Sequence, residues 1–390
     1  MLFYSILLIF LTFLYAVALL KLQGGFKNLK AGRNKTQPNV SVVIAARNEA
    51  DTIGRCLHAV LNQTYPKDKV EIIAIDDRSE DGTFEVIQKL AGTNCQIKLL
   101  QIKDRSAHLA PKKRAIDLGI QNASGEIIVT TDADCQPGPD WISKLIKHFE
   151  PNVGMVAGFN PYKTENRSLF YQMLSLDYFA MASVSAASAG LNYPLSCTGG
   201  NLAYRKRVYL ETGGFTKFSN WVSGDDDFFL EQIRENSNWE ICYATNPKTS
   251  VPTAPPETFK DFVQQRIRYA SKCGHYSPKV TLGLVGIYLM NLLILIGPIL
   301  SIVKPQILLV WLTGWAFKTL SEFIFLKRGE KEFQMHFKSN LFLFTVVLHP
   351  FYIVLAGLLG QFSTFHWKGD PYSGKMPKSG LIEETIQKTN

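Results

Sequence analysis

The sequence lacks the cysteine and histidine patterns of zinc-binding or disulfide-stabilised domains. Its 390 residues include six cysteines, which are scattered without a CxxC pair or a histidine at zinc-ligand spacing. Structural zinc sites and the disulfide frameworks of small secreted domains both depend on such spacings. We therefore expect reduced cysteines, and neither a structural zinc site nor a disulfide scaffold.

Signatures of nucleic-acid binding are also missing, although the net charge is +9. The chain contains no helix-turn-helix, zinc-finger or RNA-binding motif. Much of the positive charge lies beside long apolar segments, where lysine and arginine attract anionic lipid headgroups. The charge therefore indicates membrane lipids as partners and no nucleic acid.

The first apolar segment, Leu2–Leu20, has no charged residue, and the five charged residues that follow it are all basic: Lys21, Lys27, Lys30, Arg33 and Lys35. About 20 apolar residues are needed to span a bilayer as a helix. A cleaved signal peptide carries its positive charge before a shorter apolar stretch. The pattern predicts an uncleaved transmembrane anchor over residues 1–21.

A second apolar region, residues 280–362, contains three candidate spans: Val280–Val303, Ile307–Leu326 and Leu341–Phe362. A tail of residues 363–390 follows. Lys318 and Glu322 in the middle span are four residues apart, so on a helix they could neutralise each other inside the bundle. The alternative is that this segment lies partly in the membrane interface.

The basic residues orient these spans. One basic cluster follows Leu20, and a second lies between the last two spans: Lys327, Arg328, Lys331 and Lys338. With four spans both clusters fall on the same side, which the positive-inside rule makes the cytoplasm. We expect a multi-pass protein of the inner (plasma) membrane, with its amino terminus outside and a cytoplasmic domain over residues 36–279.

Within that domain, short β-branched runs alternate with segments of helical spacing. Strands are predicted at Val40–Ala45, Val70–Ile75, Ile97–Ile102, Glu126–Thr131 and Val153–Gly158. Helices are predicted at Asp51–Gln63, Thr83–Leu90, Lys112–Gln121 and Trp141–Phe149. This alternation predicts an α/β fold with a mostly parallel sheet. The apolar stretch Leu169–Leu191 fits either an amphipathic helix on the bilayer or a core helix.

Acidic side chains follow three of the predicted strands. They are Glu49 after the first strand, Asp76 and Asp77 after the second, and Asp132 and Asp134 after a later one. Ligands of parallel sheets bind beyond the carboxyl ends of the strands. Clustered carboxylates repel one another unless a cation lies among them, and Mg²⁺ or Mn²⁺ joins carboxylates to substrate phosphates. We expect Asp132 and Asp134 to bind such a metal, which would hold a diphosphate.

Six segments resemble, in order, motifs of the family 2 glycosyltransferases, whose fold is called GT-A. They are ARNEA (Ala46–Ala50), DDRSEDGT (Asp76–Thr83), KKRAIDLG (Lys112–Gly119), DAD (Asp132–Asp134), SGDDD (Ser223–Asp227) and QQRIRY (Gln264–Tyr269). The resemblance covers roughly Asn39–Tyr276. It departs from the family in two places: the last aromatic residue is Tyr269 instead of tryptophan, and a run of three acids replaces the usual acidic pair.

The resemblance implies a role for each motif. The donor would be bound by Ala46, Asn48, Glu49, Asp76, Asp77, Lys112, Lys113, Asp132, Gln265, Arg268 and Tyr269. The metal ligands would be Asp132 and Asp134. Asp226 would be the catalytic base, with Asp225 as the alternative register, although Asp225 and Asp227 also suit an acid-rich helix start.

The segment CTGGNLAYRK is a candidate acceptor site, because glycine permits close backbone approach. Its predicted contacts are Gly199, Gly200 and Asn201, together with Trp221 from a later segment. A plain tight turn at the two glycines is the alternative.

The resemblance implies a metal-dependent, inverting glycosyltransferase of the hexosyltransferase type. It would move a sugar from a nucleotide-diphosphate sugar to a lipid-linked or polysaccharide acceptor at the cytoplasmic face, in cell-envelope polysaccharide or glycolipid biosynthesis. A processive synthase would extrude its polymer through the helices, whereas a single-addition enzyme would modify a lipid such as a diacylglycerol, a sphingolipid or a polyprenyl carrier.

Two other classes compete with a glycosyltransferase. A non-enzymatic transporter or scaffold that binds nucleotides would have more spans and no need of a base. A nucleotidyltransferase that makes sugar nucleotides usually carries a Gly-rich phosphate loop near the start of its domain, and VVIAARNEA lacks one.

Overall fold

A seven-stranded sheet forms the centre of the computed structural model, which describes residues 2–104, 109–164, 168–367 and 370–372. The strands are β1 (Val40–Ala46), β2 (Val70–Asp77), β3 (Ile97–Ile102), β4 (Ile127–Thr130), β5 (Val153–Gly158), β6 (Leu202–Arg205) and β7 (Glu240–Ala244). Their order is β3-β2-β1-β4-β6-β5-β7, and only β6 runs antiparallel to its neighbours. The predicted α/β fold with a mostly parallel sheet is confirmed.

The register of the central strands brings the predicted acidic strand ends together. Ala46 at the end of β1 pairs with Asp76 at the end of β2. On the other side of β1, Val43 pairs with Thr130, the last residue of β4. The carboxyl ends of β2, β1 and β4 are therefore adjacent, as the pattern of strand ends predicted.

Twelve α-helices lie within the described residues. They are α1 (Leu2–Gly25), α2 (Ala50–Leu61), α3 (Thr83–Ala91), α4 (Pro111–Gln121), α5 (Trp141–Ile146), α6 (Leu169–Gly190), α7 (Lys206–Thr212), α8 (Asp227–Asn236), α9 (Phe259–Ala270), α10 (Pro278–Val303), α11 (Gln306–Phe333) and α12 (Ser339–Phe362). Two apolar cores form because successive strand residues point to opposite faces of the sheet. Val42 packs with α2 and α5 on one face, and Val43 packs with α4 and α8 on the other.

Helix α6 lies between the sheet and the apolar helices. Its Phe179 ring is 5.5 Å from the ring of Phe333 in α11. Its Ala187 approaches Gly25 of α1 so closely that a Cβ on Gly25 would lie 1.9 Å from the Ala187 carbonyl oxygen. These contacts favour the core-helix alternative for Leu169–Leu191.

Four helices of the described chain, α1, α10, α11 and α12, are long and apolar enough to cross a membrane, as the sequence predicted. Inside this group the Lys318 ammonium lies 2.7 Å from Glu322 Oε1, and the Lys318 side chain is fully buried. The Tyr15 hydroxyl of α1 donates a hydrogen bond of 2.9 Å to the same carboxylate. The two charges therefore neutralise each other inside the bundle.

The tail contributes a short hairpin of β8 (Phe365–Trp367) and β9 (Asp370–Tyr372). Residues 373–390 lie outside the described part of the chain.

The close approach of α1 to α6 predicts opposite effects of alanine at two adjacent glycines. Gly25→Ala would force its Cβ against the Ala187 carbonyl, and overpacking typically costs about 1–3 kcal/mol. Gly24→Ala is the matched control, because its Cβ would meet nothing within 4 Å and alanine favours a helix over glycine. We expect thermal unfolding of the detergent-solubilised protein to shift to lower temperature only for Gly25→Ala. Equal behaviour of the two variants would contradict this packing.

Candidate active site

A cavity of about 1280 Å³ opens at the carboxyl ends of β1 and β4 and continues to α10 and α12. Its polar end is lined by residues from all six of the predicted motifs: Ala46, Glu49, Asp77, Lys112, Asp132, Asp134, Asp225, Asp226, Gln265, Arg268 and Tyr269. Its other end is lined by apolar residues of α10 and α12, such as Leu284 and Ile353. Segments that are distant in the sequence therefore border one space.

The predicted metal ligands lie in the turn after β4. Asp132, Asp134 and the adjacent Cys135 each offer one ligand atom, and these atoms all lie within 4.8 Å of one another. Two carboxylates are the donor set that Mg²⁺ or Mn²⁺ takes, while a thiol is a softer ligand. The Asp132 and Asp134 side chains therefore fit a divalent cation of this kind.

Lys112 joins the predicted metal site to the acidic run. Its ammonium lies 2.7 Å from Asp132 Oδ1 and 3.4 Å from Asp225 Oδ2. Burial favours the neutral amine, but the charges of Asp132 and Asp225 outweigh it and raise the pKa of Lys112 above its ordinary value. Lys112 is therefore a fixed positive charge at the centre of the cavity.

The two glycines after α6 pass directly beside these charges. A Cβ on Gly200 would lie 2.8 Å from Asp132 Oδ2, and one on Gly199 would lie 3.0 Å from Asp225 Oδ2. Any side chain here would therefore displace a carboxylate. This close approach is the property that made the segment a candidate acceptor site.

Asp226 is held at the start of α8 by the backbone. Its Oδ1 accepts a 2.7 Å hydrogen bond from the Asp227 N–H, and its Oδ2 accepts one of 3.0 Å from the Gly199 N–H. Burial would raise the pKa of Asp226, but Lys272, Lys112 and these two hydrogen bonds lower it below the ordinary value. The carboxylate is therefore ionised at neutral pH and able to accept a proton.

Asp227 has a different environment from its two acidic neighbours. Its Oδ1 accepts hydrogen bonds from the Ser196 hydroxyl (2.8 Å) and the Cys197 N–H (3.1 Å). Its Oδ2 accepts one from Lys272 (2.5 Å) and one from the Tyr276 hydroxyl (2.9 Å). With four donors on a buried carboxylate, Asp227 is a structural anchor, and the choice of base narrows to Asp225 or Asp226.

Several predicted donor-binding residues make contacts beside the cavity. Arg78 and Arg114 both lie 2.9 Å from Asp77 Oδ1 and hold this carboxylate at the wall. Asp76 is fully buried outside the wall, and neither of its carboxylate oxygens has a hydrogen-bond partner among the described residues. Asn48 also lies outside the wall, and its side-chain oxygen accepts a 3.0 Å hydrogen bond from the Glu80 N–H.

Lys113, Asn201 and Trp221 lie outside the cavity wall, which differs from the roles predicted for them. The fully buried Lys113 ammonium donates to the carbonyls of Trp221 and Ser223, at 3.0 Å for Ser223. The Asn201 amide is occupied by the Trp141 indole and by two backbone carbonyls, at 2.8–2.9 Å. These side chains support the loops around the cavity.

Helix α9 brings its predicted motif residues to the wall. Gln265 Oε1 accepts a 3.2 Å hydrogen bond from the Tyr162 hydroxyl. The Arg268 guanidinium lies 5.2 Å from the centroid of the Tyr269 ring, which is within the range of a cation–π contact. Arg268 has no carboxylate within ion-pair distance among the described residues, so its charge faces the cavity without an acidic partner.

Comparison with known proteins agrees with this geometry. Residues 41–213 match the family model described as glycosyl transferase family 2. Over 234 residues the chain is 36% identical to the glycosyltransferase AglE of Haloferax volcanii, covering 60% of this chain and 72% of AglE. The chain belongs to glycosyl transferase family 2. This membership favours the transferase prediction over the transporter and nucleotidyltransferase alternatives.

Two further comparisons show what this family 2 glycosyltransferase is similar to, in sequence and in structure. It is 27% identical over 238 residues to the poly-beta-1,6-N-acetyl-D-glucosamine synthase of Staphylococcus epidermidis, covering 59% of this chain and about half (53%) of the synthase. The structure matches the mannosyltransferase PcManGT from Pyrobaculum calidifontis, solved in complex with GDP-Man and Mn²⁺. The TM-score is 0.60 at 20% identity, with 92% of this chain and 99% of the other covered. This match shows the shared fold.

Two cationic residues of this family 2 glycosyltransferase were missed by the sequence analysis. Lys272 is buried on Asp227 and lies 3.8 Å from Asp226. Arg266, inside the QQRIRY motif, is 4% exposed and its guanidinium lies 3.0 Å from the Asp177 carboxylate of α6. The partners of both residues are distant in the sequence, so motif spacing carries no signal for them.

The buried Lys113 predicts a pH dependence of stability. Burial lowers the pKa of Lys113 to about 8, whereas an unfolded lysine titrates near about 10.4. Between these values the unfolded chain binds more protons, so this residue makes the free energy of unfolding rise with pH, by up to about 1.4 kcal/mol per pH unit.

We expect Lys113→Met to remove that rise in denaturant unfolding measured between pH 8 and pH 10. The control is Lys89→Met, at an exposed position of α3, which should keep the rise. If both variants keep the same pH slope as the parent protein, the account of Lys113 is wrong.

Proposed function

We propose that this chain is a membrane-bound glycosyltransferase that moves a sugar from a nucleotide-diphosphate sugar to a lipid-linked or polysaccharide acceptor. The carrying observation is Lys112, which contacts both Asp132 and Asp225. The segment proposed for the metal and the segment proposed for the base therefore both contact Lys112, and both border the same cavity. Sugar transfer requires the metal and the base to act on the same two bound substrates, the donor and the acceptor.

Departure of the nucleoside diphosphate requires stabilisation of negative charge. Arg268 and Lys112 line the cavity and supply positive charge toward the diphosphate. Asp132 and Asp134 would hold Mg²⁺ or Mn²⁺, which when bound acts as a Lewis acid on the phosphate oxygens. Gln265 and Tyr269 would position the donor beside these charges.

The acceptor hydroxyl must lose its proton as it attacks the sugar. Asp226 is ionised and its backbone hydrogen bonds fix its orientation, which suits it to take this proton. The family resemblance implies direct displacement by the acceptor oxygen, so we propose inversion at the anomeric carbon. Gly199 and Gly200 would allow the acceptor to approach the reacting carbon.

The packing supports a lipid-linked acceptor over an extruded polymer. The cavity continues from the acidic end to apolar residues of α10 and α12, such as Leu284 and Ile353. The space between α1, α10 and α11 is filled by buried apolar side chains such as Leu8, Met290 and Ile294. A lipid chain suits the apolar end of the cavity, whereas a polymer would need a path through the packed helices.

The basic clusters support a cytoplasmic orientation of the α/β domain in the inner membrane, with the amino terminus outside. In this proposal residues 1–21 are the anchor, residues 36–279 are the catalytic domain and residues 280–362 are the second membrane region.

The direct test is incubation of the purified full-length protein with a panel of nucleotide sugars and Mn²⁺ or Mg²⁺. Release of a nucleoside diphosphate identifies the donor. Labelled sugar recovered in an organic lipid extract supports the lipid-linked acceptor, and label in aqueous polymer supports a synthase. No release with any donor would contradict the proposal.

We predict that transfer depends on a divalent cation held by Asp132 and Asp134. Excess chelator should abolish nucleoside diphosphate release, and Asp132→Asn should weaken metal-dependent donor binding by at least about 10–100-fold, the loss typical of changes around a metal. Calorimetric titration of donor with and without Mn²⁺ measures the effect. The control is Asp140→Asn, an acid of the same loop that pairs with Lys248. Full turnover in chelator would rule out the metal.

We predict that Asp226→Asn lowers kcat by about 10²–10⁴-fold, the usual value of general-base catalysis, while the donor Kd stays unchanged. The reason is that a base acts on the acceptor proton in the transition state and not on the bound donor. Asp225→Asn is the comparison. If Asp225→Asn is the inactive, donor-binding variant and Asp226→Asn is active, the base is Asp225. If both variants transfer sugar normally, the proposed base mechanism is wrong.

A further inference from the structure

Helix α12 has the length of a membrane span, but its end contacts the α/β domain and its start lies close to that domain. At its start, only five residues separate it from Phe333 at the end of α11. The Phe333 ring packs 5.5 Å from Phe159 and 6.0 Å from Tyr243, which both belong to the α/β domain. Five residues extend at most about 18 Å, so α12 begins close to that domain.

The end of α12 contacts the same domain. The Gln361 side-chain amide donates a 3.0 Å hydrogen bond to the Ala270 carbonyl at the end of α9. A Cβ on Gly360 would lie 2.4 Å from Ala270 Cβ. Three residues beyond the helix, the fully buried Phe365 packs with Val222 and Ile267.

The middle of α12 also faces the α/β domain. The Tyr352 hydroxyl lies 3.4 Å from Asp177 Oδ2 of α6, and its ring lies 6.1 Å from Phe262 of α9. His349 Nε2 lies 3.9 Å from Asp177 Oδ1. The start, middle and end of α12 therefore all lie against one side of the protein.

The other three long helices behave differently. Ser277, before α10, donates its N–H to Glu231 of the α/β domain. Far along α10, the Leu293 and Ile294 carbonyls accept hydrogen bonds from Tyr4 of α1 and Trp311 of α11. These three helices extend away from the domain and pack together there.

We propose that α12 lies in the plane of the membrane, in the leaflet next to the α/β domain, and is not a fourth span. A spanning helix of 24 residues would carry its far end about 36 Å from its start, across the bilayer. The contacts of Gln361 and Phe365 with the catalytic domain exclude that position. The chain then crosses the membrane three times, and its hairpin lies on the side of the α/β domain.

The partner of the outer face of α12 is the acyl layer of this leaflet. Exposed apolar residues recur along that face with helical spacing: Leu343, Phe344, Val347, Leu348, Phe351 and Leu355. The exposed Leu358 and Phe362, near the end of the helix, also line the cavity. Helix α12 contains no aspartate, glutamate, lysine or arginine. An apolar face of this length is unfavourable in water, and it is continuous with membrane-embedded helices. On the opposite face, the Tyr352 hydroxyl donates a hydrogen bond to Asp177 of the α/β domain.

This placement makes α12 the wall between the cavity and the leaflet. Val346, Ile353 and Ala356 of α12 line the cavity, together with Leu284 and Tyr288 of α10. The placement of α12 goes beyond the proposed function and does not depend on it, because it concerns only where this helix lies relative to lipid.

Spin-label depth measurements on the full-length protein in liposomes test the placement. Phe344→Cys, Phe351→Cys and Leu355→Cys place three labels on the exposed face, the first and last 11 residues apart, in a background with Cys95, Cys242 and Cys273 replaced by serine. Oxygen and nickel-chelate accessibility should give nearly one depth for all three labels. The matched control is α10, where labels at Leu282 and Leu289 should differ by about 10 Å in depth.

A depth gradient along α12 equal to that of α10 would overturn the proposal. Labels shielded from oxygen, with dipolar broadening between copies, would also overturn it, because the partner would then be a second protein copy. A carboxyl-terminal tag on the otherwise unsubstituted chain gives an independent result that no substitution can disturb. In sealed vesicles we expect the tag on the same side as the α/β domain, and the opposite side would disprove three spans.

Discussion

The buried carboxylate of Asp227 is the contact on which the assembly of the site depends. It joins the loop before the two glycines, through Ser196 and Cys197, to the segment after α9, through Lys272 and Tyr276. Removing one partner of a buried ion pair typically costs about 3–5 kcal/mol, because the other charge is left uncompensated. Asp227 therefore contributes most of the contacts that hold the segment before the glycines, the acidic run and the segment after α9 together, and Asp226 adds its bond to the Gly199 N–H.

Around this anchor the cavity concentrates acids that would otherwise repel one another. Asp132, Asp225 and Asp226 all act on Lys112, whose raised pKa shows that their combined attraction exceeds the cost of its burial. The lysine thus compensates the acids of two separate motifs. A substrate diphosphate would add negative charge to this space, and a metal would add positive charge. The site therefore suits charged ligands.

Much of the fold followed from the sequence because strand ends, helical spacing and apolar length are local properties. The antiparallel β6 was not predicted, since its four residues are too few to show a period. Lys112 and Lys113 were given one role, although their positions on α4 differ. Lys113 lies three and seven residues before the buried Ile116 and Ile120, and Lys112 lies four and eight residues before them, so helical phase alone does not separate the two lysines. The partners of Arg266 and Asp227 depend on tertiary packing and carry no local signal.

The buried pair of Asp177 and Arg266 connects the site to the membrane helices. Arg266 lies between Gln265 and Arg268 on α9, the two residues proposed to bind the donor, while Tyr352 of α12 contacts both members of the pair. A shift of α12 would therefore disturb a buried charge pair, and with it helix α9, which carries Gln265 and Arg268 to the cavity wall. If α12 lies in the leaflet as proposed, lipid covers its apolar face while protein contacts hold its other side, and the membrane then contributes to the position of this buried pair and of the cavity wall.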